Sequence, residues 1–282
     1  MNALFQNIGY KFKNGTVVEK TIYINVLVFI AMHALNVLAF LFNTHENYIY
    51  NWFSMPADFN LFITRPWSVI TYGFIHGSFF HILFNLLFLY YIGNLFLDYF
   101  TPKQFVNFYL YGTLFGGLLY ALSFHYFPVF QGVNASLVGA SSAVSAIFIG
   151  IATHIPNYQI KLRFIGYVKL WILALLFLVF DLIQLPDGNS GGHLAHLGGA
   201  LYGYFTITQM QRGKGNYWVV FSRFFKKRKD LKTVYKSKNK PTTSSQKNNQ
   251  VKVDAVLDKI SKSGYDSLSQ SEKDLLFDQG KN

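Results

Sequence analysis

The sequence predicts an all-α polytopic membrane protein, a bundle of six transmembrane helices followed by a short helical cytoplasmic tail. Three observations predict it. Charged residues make up 13% of the 282-residue chain and apolar residues 51%, about half the charge share usual in a soluble domain. Thr21 to His45 carry no formal charge, and comparable sparseness recurs as far as Arg212; uncharged stretches of that length read as membrane spans. The net charge of +12 is local, since residues 212–252 hold 13 of the 25 Lys and Arg against one acid, Asp230, while the rest of the chain balances. That distribution argues against a nucleic-acid binder. The absence of cysteine excludes disulfides, thiolate metal sites and a cysteine nucleophile.

The elements follow in order. Residues 1–20 form an N-terminal segment ahead of a domain over residues 21–211. The first span, Thr21 to Phe42, is too long for a signal peptide and lacks a small-residue cleavage site, so it is retained. Loop 43–77, with Trp52, Phe53, Pro56, Phe59, Phe62, Pro66 and Trp67, reads as a segment lying in the membrane interface with its aromatics as lipid anchors. Ser78 to Leu97 and Pro102 to Phe124 are the second and third spans, and loop 125–140 is irregular. Ser141 to Ile155, Tyr167 to Leu185 and Leu194 to Met210 are the fourth, fifth and sixth. Lys11, Lys13, Lys20, Lys103, Lys161, Arg163, Lys169 and Arg212 fall on one face and only Arg65 on the other, which places both termini in the cytoplasm and loops 43–77, 125–140 and 186–193 outside.

Beyond the spans, residues 212–250 form a basic juxtamembrane segment and linker. Tyr217, Trp218, Phe221, Phe224 and Phe225 precede Lys226-Lys227-Arg228-Lys229, a pattern that suits contact of residues 212–240 with anionic lipid of the inner leaflet. Polar residues 237–250 read as a flexible linker. In residues 251–282, Val253, Val256, Leu257 and Ile260 keep helical spacing, Ser263-Gly264 breaks it, and Ser269 to Glu272 forms a capping box before Leu275, Leu276 and Phe277.

Polar residues gather at one depth. The fourth span is 15 residues, roughly 22 Å of helix against about 30 Å of hydrocarbon, so Ser141 begins below the outer surface. His196 lies equally far from the inner end of the sixth span, and His81 of the second span joins the layer with Asn85 one turn deeper. Polar groups at such depth face protein or water, and an irregular loop beside them implies a lined, water-filled cavity. Serine becomes a nucleophile when histidine takes its proton. Ser141 opens a helix, where free backbone N–H groups favour a developing oxyanion, and His81 and Asn85 can add donors. Gly139 permits a sharp entry turn. Ser141 with Ser145, and Gly199 with Gly203, are small pairs four apart that let membrane helices approach closely.

Gly139-Ala140-Ser141-Ser142, Ala195-His196-Leu197-Gly198-Gly199 with Gly203, and His76 through His81 to Asn85 resemble the GxSG, AHxxGxxxG and HxxxxHxxxN motifs of rhomboid intramembrane serine proteases, in matching order and on matching spans. The resemblance, to the bacterial six-span type with a cytoplasmic tail, implies residence in a bacterial cytoplasmic membrane and cleavage of transmembrane substrates near their outer ends. It implies a Ser141/His196 dyad without an obligatory acid, and an oxyanion site of His81, Asn85 and the Ser141 N–H. Three positions depart from the family pattern: Ser142 replaces a glycine, Ser145 stands where relatives often place an aromatic against the catalytic histidine, and Trp67-Ser68 replaces Trp-Arg.

No cofactor is implied. A metalloprotease is disfavoured because HExxH is absent and Glu19, Glu46 and Glu272 lie outside the spans. Ser142 is the competing hydroxyl. Asp181, the only acid within a span, is expected to satisfy loop N–H groups and not to orient His196. His193 is expected to cap loop 186–193, and His76, His33, His45, His125 and His154 to be structural. The rival readings are a catalytically silent relative that binds transmembrane helices for quality control, and a transporter that uses the polar layer as a binding site.

Overall fold

The computed structural model describes residues 9–43, 48–213 and 244–279. Helix α1, Val17–Leu41, starts at a capping box in which Thr16 Oγ1 accepts from the Glu19 N–H and the Glu19 carboxylate accepts from the Thr16 N–H at 2.6 Å. It therefore begins four residues before the expected boundary, since paired caps satisfy two orphan donors there. Short helices α2 (Tyr48–Phe53), α3 (Phe59–Thr64) and α4 (Ser68–Thr71), with a 3-10 turn at Tyr72–Phe74, occupy the next loop. Then follow α5 (Phe79–Leu97), α6 (Pro102–Tyr126), α7 (Ser141–His154), α8 (Leu170–Ile183) and α9 (Ser190–Gln211). Helices α1, α5 and α6 are long and apolar enough to cross a bilayer, and α7 and α8 are shorter apolar helices.

The chain is mostly helical, as expected, and carries two short antiparallel ladders: β1 (Met55–Pro56) with β2 (Ser136–Leu137), and β3 (Gln159–Leu162) with β4 (Gly166–Lys169). The second is a hairpin turning at Gly166, φ +95°, and it takes Tyr167, Val168 and Lys169 out of the expected fifth span. The first ladder, extended by Ala57 N–H to Ala135 O at 2.9 Å, gives the loop before α7 protein partners for its backbone. Loop 43–77 does not simply lie in the interface. Trp52 and Trp67 stack there, 5.5 Å apart, but Ser68, Tyr72, Ile75 and His76 are buried.

Helix α7 is the centre of the bundle, and every residue from Ser142 to Ala152 is buried. It packs on α6 and α9 through glycine. Gly199 lies against the Ser142 carbonyl and Gly203 against the Ala146 carbonyl, so any side chain at either would meet backbone. A methyl added at Gly116 of α6 would lie 2.5 Å from Ser142 Cβ. Close backbone approach of this kind supplies dispersion contacts where lipid offers no hydrophobic drive between helices. Two tyrosines pin the entry loop to the bundle: the Tyr72 hydroxyl donates to Thr113 O at 2.7 Å, and that of Tyr109 to Gly73 O at 2.8 Å. Buried Asn25 of α1 donates to Tyr109 Oη at 3.0 Å.

The described residues 244–279 belong to a separate unit. In it α10 (Ser244–Ser263) and α11 (Gln270–Gln279) are joined through Gly264, φ +79°, and a 3-10 turn at Tyr265–Ser267. Helix α10 begins within the segment expected to be a linker. Glu272 accepts from the Ser269 N–H at 2.7 Å and pairs with Lys259 at 2.9 Å. The Lys259 contact, with the Ser269 bonds, holds its carboxyl down at about 2. The Tyr217 to Lys229 cluster lies outside the described residues.

Candidate active site

Ser141 is the first residue of α7, preceded by Ala140 with no side-chain cap. The N–H groups of a first turn have no intrahelical acceptor, so the nucleophile candidate sits among free donors. Gly139 adopts φ +123°, a conformation that L side chains resist, and its N–H donates to Tyr72 O at 3.0 Å. Its lack of a side chain has a second use. A methyl there would lie 2.7 Å from His81 Nε2 and 3.6 Å from Ser141 Oγ, so the imidazole and the hydroxyl flank one point.

His81 and Asn85 come from the first two turns of α5. Ser78 caps that helix by accepting from the His81 N–H, and Asn85 Nδ2 donates to His81 O at 2.9 Å, leaving one amide hydrogen for the cavity. His76 is buried edge-on to His81, ring centroids 5.1 Å apart. Burial, with His81 beside it, pushes its ring down to about 3. The ring is therefore neutral near pH 7, and its Nε2 accepts from the Ala140 N–H at 3.4 Å, which steadies the turn before Ser141.

Ser142 is removed as a competitor. It is fully buried against Gly116, and its Oγ lies 2.7 Å from Tyr72 Oη. A hydroxyl stands where the family has glycine because Tyr72 gives it a partner.

His196 lies in the second turn of α9, because that helix starts at Ser190, four residues earlier than expected. Ser190 Oγ donates to Leu185 O at 2.6 Å there. The assignments of Asp181 and His193 to loop capping are also corrected. Buried Asp181, in the last turn of α8, lies with Oδ1 2.9 Å from His196 Nδ1 and 2.8 Å from His193 Nδ1. Phe177, one turn before it on α8, stacks on the His196 ring at 5.8 Å and 30°. The aromatic support missing at Ser145 thus arrives from another helix, and Ser145 Oγ instead donates to Ser141 O at 2.7 Å. These partners were legible only as an acid four residues after a phenylalanine and two histidines three apart; nothing in the sequence says that the two helices meet. The three groups could also hold a metal ion, since one donor atom from each lies within 4.8 Å of the others.

The four predicted residues come together. Ser141, His81, Asn85 and His196 line a cavity of about 770 Å³ walled also by Tyr120, Ser136, Asn189 and the backbone of Gly191 and Gly192. A second, apolar groove of about 480 Å³ opens between α5 and α8, lined by Phe84, Leu87, Phe88, Tyr91 and Phe177. Ser141, Asn85 and His196 belong to both. The candidate catalytic groups are the wall between a polar space and a greasy one.

Comparison with known proteins agrees with this architecture. Residues 64–212 match the Rhomboid domain. The chain belongs to the rhomboid family. As a rhomboid with several apolar helices it is an integral membrane protein. RHOMBOID-like protein 12, mitochondrial, of Arabidopsis thaliana is 29% identical over 182 residues, which cover 60% of this chain and 54% of that protein. The chain spans about half the length of that relative. Residues 239–281 match a family of unknown function, DUF6576.

Proposed function

We propose that this rhomboid is an intramembrane serine endopeptidase that cleaves transmembrane proteins near the outer membrane face. One observation carries the reading: Ser141, Asn85 and His196 are shared by the polar cavity and the apolar groove. A hydrolase acting on a membrane helix needs water on one side of its nucleophile and an apolar seat for substrate on the other.

In this mechanism the substrate helix enters between α5 and α8. Ser141 Oγ attacks the carbonyl carbon while His196 Nε2 takes the hydroxyl proton. The oxyanion is held by the Ser141 N–H, the His81 ring and the free Asn85 amide hydrogen. His196 returns the proton to the leaving amine, and the C–N bond breaks. Water from the cavity then attacks the acyl carbon, its proton passes to His196, and Ser141 leaves with that proton restored. No metal or cofactor enters these steps. The proposed topology has six spans with both termini cytoplasmic, and residues 212–240 against anionic lipid.

A fluorophosphonate applied to the purified chain in detergent should modify Ser141, and Ser141→Ala should abolish both the adduct and cleavage of a model transmembrane substrate. Equal cleavage by Ser141→Ala would sink the protease reading and leave a silent rhomboid that uses the same apolar groove to bind helices. For the topology, a cysteine at Asn134 should react with an impermeant reagent from outside while one at Ser244 does not. Equal labelling would refute it.

A further inference from the structure

The resemblance that suggests a Ser–His pair supplies no acid for it, yet a carboxylate is bonded to the candidate base. Asp181 is 4% exposed and presents Oδ1 to two imidazoles at once, at 2.9 Å from His196 Nδ1 and 2.8 Å from His193 Nδ1. An ionised carboxylate only accepts. With Asp181 ionised, each neutral ring places its proton on Nδ1 and its lone pair on Nε2. For His196, which lines the cavity with Ser141, that is the tautomer a general base requires. His193 lines neither the cavity nor the groove, so its bond to Oδ1 serves the carboxylate and not the substrate.

A buried carboxylate is costly unless donors compensate it. Among the described residues Oδ2 has no hydrogen-bond partner, so the two imidazole nitrogens on Oδ1 are its compensation. When His196 takes the Ser141 proton it becomes an imidazolium in direct contact with Asp181, and attraction absent from the ground state appears as the barrier is crossed. Interactions that strengthen only on the way to the transition state raise kcat and leave substrate binding unchanged.

We propose that Asp181 is a positioning residue for His196, fixing its Nδ1–H tautomer and stabilising the imidazolium, with His193 holding the shared carboxylate oxygen in place. The inference rests on the protease reading, and it gives this rhomboid a Ser141–His196–Asp181 relay in which no proton moves to Asp181. The bland alternative is that Asp181 merely pins α8 to α9. A pin predicts lost stability; a positioning residue predicts a kcat effect in a folded protein.

The full chain in detergent, assayed with a model transmembrane substrate and with a fluorophosphonate, separates the two. Asp181→Asn is expected to lower kcat and the labelling rate together by roughly 100-fold or more, with KM within about two-fold, because an amide favours the wrong imidazole tautomer. Asp181→Glu should recover part of the loss. In the wild-type chain, 15N resonances should show His196 protonated at Nδ1. A folded Asp181→Asn that labels within about five-fold of wild type, a change confined to KM, or a wild-type His196 protonated at Nε2 alone would each overturn the proposal. The last readout stands even if Asp181→Asn does not fold. A wild-type chain that takes no label on Ser141 would overturn the protease reading itself, and this proposal with it.

Discussion

Helices α7 and α8 are both 14 residues long and both apolar, yet the bundle holds them very differently. Helix α7 is buried from Ser142 to Ala152 and touched by the glycine faces of α6 and α9, whereas α8 buries only Leu170, Ala174 and Asp181. The nucleophile candidate thus stands on the most enclosed element, and the partners of the base candidate, Phe177 and Asp181, on one of the least enclosed. Geometry at Ser141 is enforced by backbone collisions. Geometry at His196 is held by a ring stack and shared hydrogen bonds, on a helix that also forms one bank of the apolar groove. Under the proposed protease function, substrate entry would disturb the support of His196 more than that of Ser141.

The largest expected effect tests the clamp. Gly199→Val drives methyl groups into the Ser142 carbonyl, and overpacking, which ordinarily costs about 1–3 kcal/mol, is expected at or above the upper end where the obstacle is backbone. Activity should vanish with the folded fraction; a variant that keeps its unfolding midpoint in detergent would break the comparison. Gly139→Ala should separate the two properties. Its strained φ costs about 1–3 kcal/mol, but the added methyl displaces His81, and cleavage should fall by roughly 100-fold. Asn85→Ala, which removes one donor, should lower kcat by about 10²-fold with little change in stability. On α8, Phe177→Ala should be milder. A Phe→Ala change in a tight core costs about 3–5 kcal/mol, but Phe177 is only half-buried, on the groove, so its unfolding midpoint should stay near wild type while kcat drops about ten-fold through a looser His196 ring. A stability loss as large as that of Gly199→Val would show that α8 is clamped after all.

What the sequence disclosed divides along the same line. Composition and charge spacing disclose spans, because the bilayer imposes length and apolarity on any helix that crosses it. Small residues at intervals of four disclosed the α7–α9 contact, and Gly139 the turn before Ser141. The hairpin at residues 159–169 stayed hidden because Lys161, Arg163 and Lys169 look like ordinary flanking charges, and the early start of α9 because Gly191 and Gly192 look like loop. Asp181 was visible as an anomaly, but its partners lie 12 and 15 residues away on another helix. A hydrogen bond between helices of free relative rotation leaves no periodic trace.

Helix α1 carries a different consequence. Its buried residues are Val18, Asn25 and Met32, a single stripe seven residues apart, with Asn25 as the hook onto Tyr109. The Rhomboid match begins only at residue 64. A span held by so narrow a seam is the one the bundle can most easily release: it is expected to persist in lipid as an independent helix and to dock where Tyr109 meets Gly73. Severed from the chain and supplied separately, it should rejoin the remaining bundle, and Asn25→Leu should weaken that reunion.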